Sequence, residues 1–292
     1  MRIVLTGAGG QLGREWIDWA AGAPSADVTA FKSDELDITR PEQYDRALDT
    51  GKPDVWVNCA AYTAVDKAED EPDQARRINA EAPGFLARWC AEHGVKLVHY
   101  STDYVFRGSA DDRIRYPEGY PEDAPLAPVN TYGITKLEGE QAIRQVANQH
   151  GCDALILRVA WLCGAHGRNF VKTMLRLAAE RDELRVVDDQ IGCPAFAGDI
   201  VRQSAALLER DLAGTYHLGS SGLCSWHGFA VEILRLAGSP TPVTPVTTDD
   251  FPTRTARPRY SKLDTRAFEA ATGMKSPEWT DSLAKLMRQL NL

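Results

Sequence analysis

Tyr132 and Lys136, four residues apart in "TYGITKLEGE", share one face of any helix that holds them. Taken alone they read equally well as an ordinary surface pair. Thr102 lies about thirty residues earlier and closes "KLVHYST" (96–102), an apolar run that reads as a buried strand. Ligands of an open parallel sheet bind beyond the carboxyl ends of its strands, which puts Thr102 at a cleft that the Tyr132 helix borders. A hydroxyl at a strand end, followed by Tyr-x-x-x-Lys on the next helix, suits the reduction of a carbonyl. Tyr132 would protonate the oxygen as it becomes an alkoxide, and Thr102 would hydrogen-bond the same oxygen. A free phenol has a pKa near 10, so the Lys136 ammonium is expected to draw the tyrosine down towards useful pH.

Such a reaction needs an electron source, and the N-terminus offers a place for one. "TGAGGQLG" sets Gly7, Gly10 and Gly13 at G-x-x-G-x-x-G spacing, after the strand "RIVLT" (2–6) and before a helix opened by Gln11 and Leu12. Glycines let the backbone approach a pyrophosphate, and the helix N-terminus presents free N–H groups. A tight turn of no function is the alternative; the strand before and the helix after favour a dinucleotide. Lys136 can then also bind the nicotinamide ribose. After the second strand, "AFKSDELDI" offers Lys32 and Ser33 in place of an acid. A cation there suits a 2′-phosphate and favours NADPH over NADH, while a solvated surface lysine is an equal reading of Lys32. Asp37, with Ile38 beside it, is a candidate for the adenine edge.

These residues need a frame. Short β-branched runs at 2–6, 28–31, 54–60, 96–102 and 153–161 alternate with helical segments at about 11–21, 41–50, 71–93 (with a break near Pro83) and from Tyr132 onward. Near-continuous apolar strands in a βαβ succession imply a parallel sheet covered on both faces. The expected fold is α/β, a doubly wound Rossmann-type sheet over residues 1–161 with a smaller C-terminal α/β substrate-binding lobe over 162–292, from which segments can return to the first domain. Helices are expected near 170–181, 200–210, 226–237 and 278–290. The segment 107–130 holds four prolines and reads as a long loop of functional kind.

Composition narrows the partners. The chain has 292 residues and a net charge of -8, which argues against nucleic acid or anionic membrane. Its six cysteines form no C-x-x-C pair, and its six histidines form no zinc motif. Reduced, mostly buried thiols in a cytoplasmic protein are expected. No apolar run nears the length of a membrane span, and "MRIVLTGAGG" is no signal peptide.

Several motifs in order closely resemble the dTDP-4-dehydrorhamnose reductase family of the extended short-chain dehydrogenases/reductases. They are "LTGAGGQLG", "DVWVNCAAYTAVDKAE", "STDYVFRG", "YGITKLEGE", "RVAWLCG", "GRNFVKTML", "VVDDQIGCP", "SWHGFA" and "RPRYSKLD", which together run over nearly the whole chain. The resemblance implies NADPH- or NADH-dependent reduction of the C4 keto group of dTDP-4-dehydro-6-deoxy-L-mannose to dTDP-L-rhamnose. It implies Thr102, Tyr132 and Lys136 as the catalytic set and Ala60, Ala61 and Tyr62 along the cofactor. Asp103 becomes a substrate contact, and Trp161 becomes the flat apolar partner of the nucleotide. Some family members hold Mg²⁺ through glutamates at a dimer interface. Glu15 stands at the matching place without evident partners, so a homodimer is raised and no metal site is assigned; a solvated helix glutamate is the preferred reading of Glu15.

Arg107 replaces the aspartate usual after "STDYVF", and Ala195 stands where threonine is common. Arg257 and Arg259 read either as diphosphate contacts or as surface residues. These points leave open a reductase of another dTDP-4-keto-6-deoxy sugar, for example one giving a 6-deoxytalose. A non-catalytic regulatory subunit of the same fold and an epimerase with tightly held NAD are the other classes. The intact Thr102, Tyr132 and Lys136 speak against the first of these two.

Overall fold

A computed structural model describes residues 1–251 and 253–292. Six strands, β1 (Arg2–Thr6), β2 (Asp27–Phe31), β3 (Val55–Asn58), β4 (Lys96–Thr102), β5 (Ala154–Val159) and β6 (Gly214–His217), form one sheet in the order β6-β5-β4-β3-β1-β2. Every pairing in it is parallel. The strands are buried on both sides because their residues alternate between two cores. Ile3 and Leu5 join Val55, Val57, Leu155 and Leu157 on one face. Val4 joins Trp56, Leu97 and Ile156 on the other.

Helices α1 (Gln11–Ala21), α2 (Ala82–His93), α3 (Thr131–His150) and α5 (Ala197–Glu209) cover these faces; between α3 and α5 the chain forms α4 (Phe170–Glu180). α1 and α5 add Trp16, Ile200 and Val201 to the first core, while α2 and α3 add Leu86 and Ile143 to the second. The chain turns from β1 to β2 on one side and resumes with β3 on the other, so the crevice between β1 and β3 is where a ligand can enter.

The second lobe is built by α4, α6 (Trp226–Leu236) and α8 (Trp279–Gln289) around Phe229, Ile233 and Leu283, with a parallel pair of short strands, Leu184–Val187 and Val243–Val246. Between these pieces the chain returns to the sheet. β6 extends it beside β5, and α7 (Arg266–Thr272) brings Phe268 into the first core.

The helix expected over 41–50 is a 3-10 helix at Pro41–Leu48. The segment expected as helix over 71–93 with a break near Pro83 is helical throughout, as Pro72–Arg76, a π-helical turn at Arg77–Glu81, and α2. Pro83 has no N–H to give the carbonyl of Asn79 four residues back, which interrupts the helical ladder there. The irregularity falls just before it, and π turns of this kind mark functional positions. This one carries Asn79, whose carbonyl lies so near α3 that a Cβ on Gly139 would come within 2.1 Å of it. The loop 107–130 contains a short helix, Asp112–Arg115, and is anchored where Tyr120 stacks on Phe106 at 4.4 Å. Among the described residues no helix is long and apolar enough to cross a membrane.

Candidate active site

The glycine turn packs against the end of β3. Gly7 has φ +78°, and a Cβ on it would stand 2.5 Å from Ala60 N. On Gly13 a Cβ would stand 2.3 Å from Gly7 O. Side chains are therefore excluded where backbone must pass closely. α1 begins without a side-chain cap and without an acid in its first turn, so its N–H groups remain free for an anion. The cradle fits a dinucleotide pyrophosphate.

A cleft of about 480 Å³ opens above this turn. Gly10, Gln11, Leu12 and Ala61 line it on one side, and Thr102, Asp103, Tyr132, Lys136 and Trp161 on the other. The residues expected to act together are thus brought together. Tyr62 is fixed beside the cleft: Asn79 Oδ1 accepts from its N–H at 2.9 Å, Asn79 Nδ2 donates to its carbonyl at 3.0 Å, and its hydroxyl donates to Glu71 at 2.6 Å. Ala60 donates its N–H to Asn58 Oδ1 at 3.1 Å.

The residues assigned to the adenosine end have mixed placements. Lys32 is exposed just past β2. Asp37 is half-buried, and one of its oxygens accepts from Thr39 N at 2.9 Å and Thr39 Oγ1 at 2.8 Å. The Ile38 side chain packs into the core with Leu36 and Tyr44.

Thr102 donates to Asp103 Oδ1 at 3.0 Å and accepts from Tyr104 N at 3.2 Å. Asp103 is buried, and its Oδ2 has no partner. Burial pushes its carboxyl up to about 7, against the hydrogen bond from Thr102. Tyr132 packs edge-on to Tyr104 at 5.3 Å. Burial raises the Tyr132 phenol above its ordinary value, and Thr102 opposes this. Lys136, 1% exposed, donates to Tyr100 O at 2.6 Å and lies 3.2 Å from His99 Nε2. Burial brings it down to about 8, with the Glu140 charge opposing. The expected lowering of Tyr132 by Lys136 is corrected: Lys136 is not among the groups that shift the half-buried Tyr132, where desolvation is the largest cause and raises the phenol.

Trp161 adopts φ 49°, the left-handed region that an indole rarely occupies. Its ring stacks on Trp226 at 3.7 Å. Trp226 lines a second cavity, of about 510 Å³, together with Phe170, Arg181, Arg185 and Arg257. Tyr104 borders both spaces. Arg257 donates to the Tyr104 hydroxyl at 3.2 Å and to Asp66 at 2.7 Å. Arg259 instead pairs with Asp189 and Asp249.

Glu15 is 9% exposed rather than solvated, and burial raises its carboxyl against the nearby His166. No cluster able to hold a metal ion occurs among the described residues. Ala195 is a core residue.

Sequence reasoning passed over Tyr104, Trp226 and the buried pair Glu140–Arg158. Signals for the pair existed. Glu140 sits one turn beyond Lys136 on the same face, and Arg158 interrupts an apolar strand.

The fold and site define a Rossmann-type reductase of the short-chain class. The family model for the RmlD substrate binding domain matches residues 1–292. A dTDP-4-dehydrorhamnose reductase of Burkholderia thailandensis is 39% identical, with 99% of each chain covered. A dTDP-4-keto-6-deoxy-D-glucose reductase of Streptomyces niveus is 37% identical over 99% of this chain and 98% of its own. The crystal structure of dTDP-4-dehydrorhamnose reductase from Bacillus anthracis in complex with NADP superposes with a TM-score of 0.91, at 38% identity and 99% coverage of both chains. The chain belongs to the dTDP-4-dehydrorhamnose reductase family.

Proposed function

We propose that this protein reduces the C4 keto group of dTDP-4-dehydrorhamnose to give dTDP-L-rhamnose, with NADPH or NADH as reductant. One observation carries the reading: Thr102, Tyr132 and Lys136 line the same cleft as Gly10, Gln11 and Leu12 of the glycine turn. The Burkholderia thailandensis relative bears that activity in its name, and the Bacillus anthracis relative was solved with NADP.

When bound, the reduced nicotinamide supplies a hydride. Gly7, Gly10 and Gly13 let the backbone approach the pyrophosphate, and the free N–H groups of α1 bind it. Exposed Lys32 suits a 2′-phosphate. Thr102 orients the keto oxygen and Tyr132 protonates it. A phenol carries its proton at neutral pH, which is the form this direction of reaction needs. Lys136 reaches the ribose from the floor of the cleft. Asp103, with one oxygen unpartnered, is free to bind a sugar hydroxyl.

The second cavity suits the nucleotide end of the substrate. Arg181, Arg185 and Arg257 match a diphosphate, while Trp226 and Phe170 offer flat faces to a base. The Trp161–Trp226 stack then forms the wall between sugar and nucleotide.

The test is NADPH oxidation with dTDP-4-keto-6-deoxyglucose and a 3,5-epimerase, with the product sugar identified by NMR. Rhamnose supports the reading. The name of the Streptomyces niveus relative favours a second reading, reduction of a different dTDP-4-keto-6-deoxy sugar, and a different product sugar would select it. Folded protein that binds cofactor yet oxidises none would overturn both.

A further inference from the structure

The loop 164–169, just before α4, reaches back over the start of α1. Asn169 Nδ2 donates to Gln11 Oε1 at 3.0 Å and to Gly164 O at 2.8 Å, which ties the first residue of α1 to the base of the loop. His166 Nε2 lies 2.7 Å from Asp18 Oδ2, further along α1. Gly167 has φ +67°, and a Cβ on it would stand 2.9 Å from Gln11 Cγ. Asn169 also caps α4, accepting from Lys172 N at 3.1 Å, so the loop is fixed at both ends.

Arg168 stands within this clasp. It is exposed, and with Gly167 it lines the cleft that Gly10, Gln11 and Leu12 also line. The polar groups around it are engaged: His166 and Asn169 as above, and Lys172 through an ammonium that donates to Ala165 O at 2.5 Å. Among the described residues Arg168 itself has no ion pair and no side-chain hydrogen bond. The other cation of the cleft lining, Lys136, is buried and donates to Tyr100 O at 2.6 Å. Arg168 is thus the cation beside the glycine turn whose donors are uncommitted. The turn offers backbone N–H groups to an anion, and a pyrophosphate carries a negative charge on each phosphate.

We infer that Arg168 is a cofactor-binding residue whose guanidinium pairs with the pyrophosphate that the glycine turn cradles. This deepens the proposed reduction and rests on the glycine turn as the cofactor site. A guanidinium fork matches phosphate oxygens two at a time. The diphosphate of a sugar nucleotide is the competing partner, and two observations favour the cofactor. Arg168 shares its cleft with Gly10 and Gln11, and the second cavity is lined by Arg181, Arg185 and Arg257 but not by Arg168. Because the loop leads into α4, the cofactor then touches both lobes.

The test is calorimetric titration of the full chain with NADPH, NADH and dTDP, each alone, for the parent, Arg168→Gln and Arg168→Lys. The residue is exposed and makes no bond within the chain, so its replacement leaves the fold intact. Arg168→Gln should weaken NADPH and NADH alike, about tenfold or more, because both carry the pyrophosphate, and should leave dTDP unchanged. Arg168→Lys keeps the charge and should restore part of the loss. The gap between Arg168→Gln and the parent should narrow at high salt, which screens an exposed ion pair. Unchanged cofactor affinity in Arg168→Gln overturns the inference. So does a loss confined to NADPH, which marks a 2′-phosphate contact, or one confined to dTDP, which hands the residue to the sugar nucleotide. Failure of the glycine-turn reading shows in a different protein: the parent itself then binds neither NADPH nor NADH, and both ideas fall.

Discussion

Replacing Glu140 by glutamine is the sharpest test of how the catalytic helix is held. Glu140 is fully buried on α3 and accepts from Arg158 Nε at 2.9 Å and Nη2 at 2.8 Å. Ser101, next to Thr102, and Arg144 donate to it as well. Arg158 is also fully buried, and its other contacts are the carbonyl of Glu122, the neutral His217 and the face of Phe106. Burial alone would raise the Glu140 carboxyl, but the Arg158 fork, Ser101 and Arg144 outweigh it and hold the pKa below the ordinary value. Glutamine keeps the shape, removes the charge and leaves the Arg158 charge uncompensated. Breaking a buried pair in this way costs about 3–5 kcal/mol. At roughly 2–3 °C per kcal/mol for a chain of this size, Tm should fall by about 6–15 °C. The sign with pH follows from linkage. A carboxyl whose folded pKa lies below its unfolded value stabilises the fold above about pH 4.3, and that stability is lost as pH falls through the folded pKa. Chemical denaturation of both proteins from pH 7 down to pH 3 should therefore show the gap narrowing at the acid end. A loss under 1 kcal/mol at pH 7, or a gap independent of pH, would refute the argument. Glu140→Leu combined with Arg158→Met should recover most of the loss, since an apolar pair leaves no charge to compensate.

Tyr132→Phe should retain cofactor affinity by fluorescence titration and lose turnover about 100-fold or more, the usual worth of a positioned proton donor; near-normal turnover would remove it from the mechanism. Gly13→Ala places a Cβ 2.3 Å from the Gly7 carbonyl, so calorimetry should show cofactor affinity weakened about tenfold or more, with a stability loss of about 1–3 kcal/mol. Asp103 is more reluctant to ionise in the fold, at about 7, than in an unfolded chain. Its burden therefore grows as pH rises from about 4 through 7, reaching at most about 4 kcal/mol at roughly 1.4 kcal/mol per unit. Asp103→Asn should accordingly raise Tm at pH 8 and change it little at pH 4, and equal effects at both would count against the assigned burial. Lys136→Ala should weaken both cofactor binding and turnover, and unchanged affinity would remove the ribose contact.

The sheet and the meeting of Thr102, Tyr132 and Lys136 in one cleft were legible because each rests on a local pattern. β1 and β4 are continuous apolar runs, and the Thr102, Tyr132 and Lys136 positions follow from a strand end and a helical turn. What escaped depends on contacts distant in sequence. The π turn at Arg77–Glu81 sits where Pro83 leaves the Asn79 carbonyl without a helical donor, which the sequence shows, and where Asn79 meets Gly139, which it does not. The 3-10 form of Pro41–Leu48 has the same hydrophobic spacing as a short α-helix. Lys136 was expected to lower Tyr132 because charge is visible in a sequence and desolvation is not. Likewise, Glu15 looked solvated on a helix, yet α5 and the Gly164 loop close over it; a Cβ on Gly164 would come 3.6 Å from its carboxylate.

The late segment 253–264 straps the mouth of the site. Arg254 and Arg257 pair with Asp70 and Asp66, beyond β3. Asn130, just before the Tyr132 helix, donates to Ala256 O at 3.1 Å, and Gly108 O accepts from Arg259 N at 2.7 Å. The two ion pairs join residues 184 and 191 positions apart in the chain. Closing a loop of that length costs entropy, so this wall of the cleft forms only when the early and late parts of the chain have met.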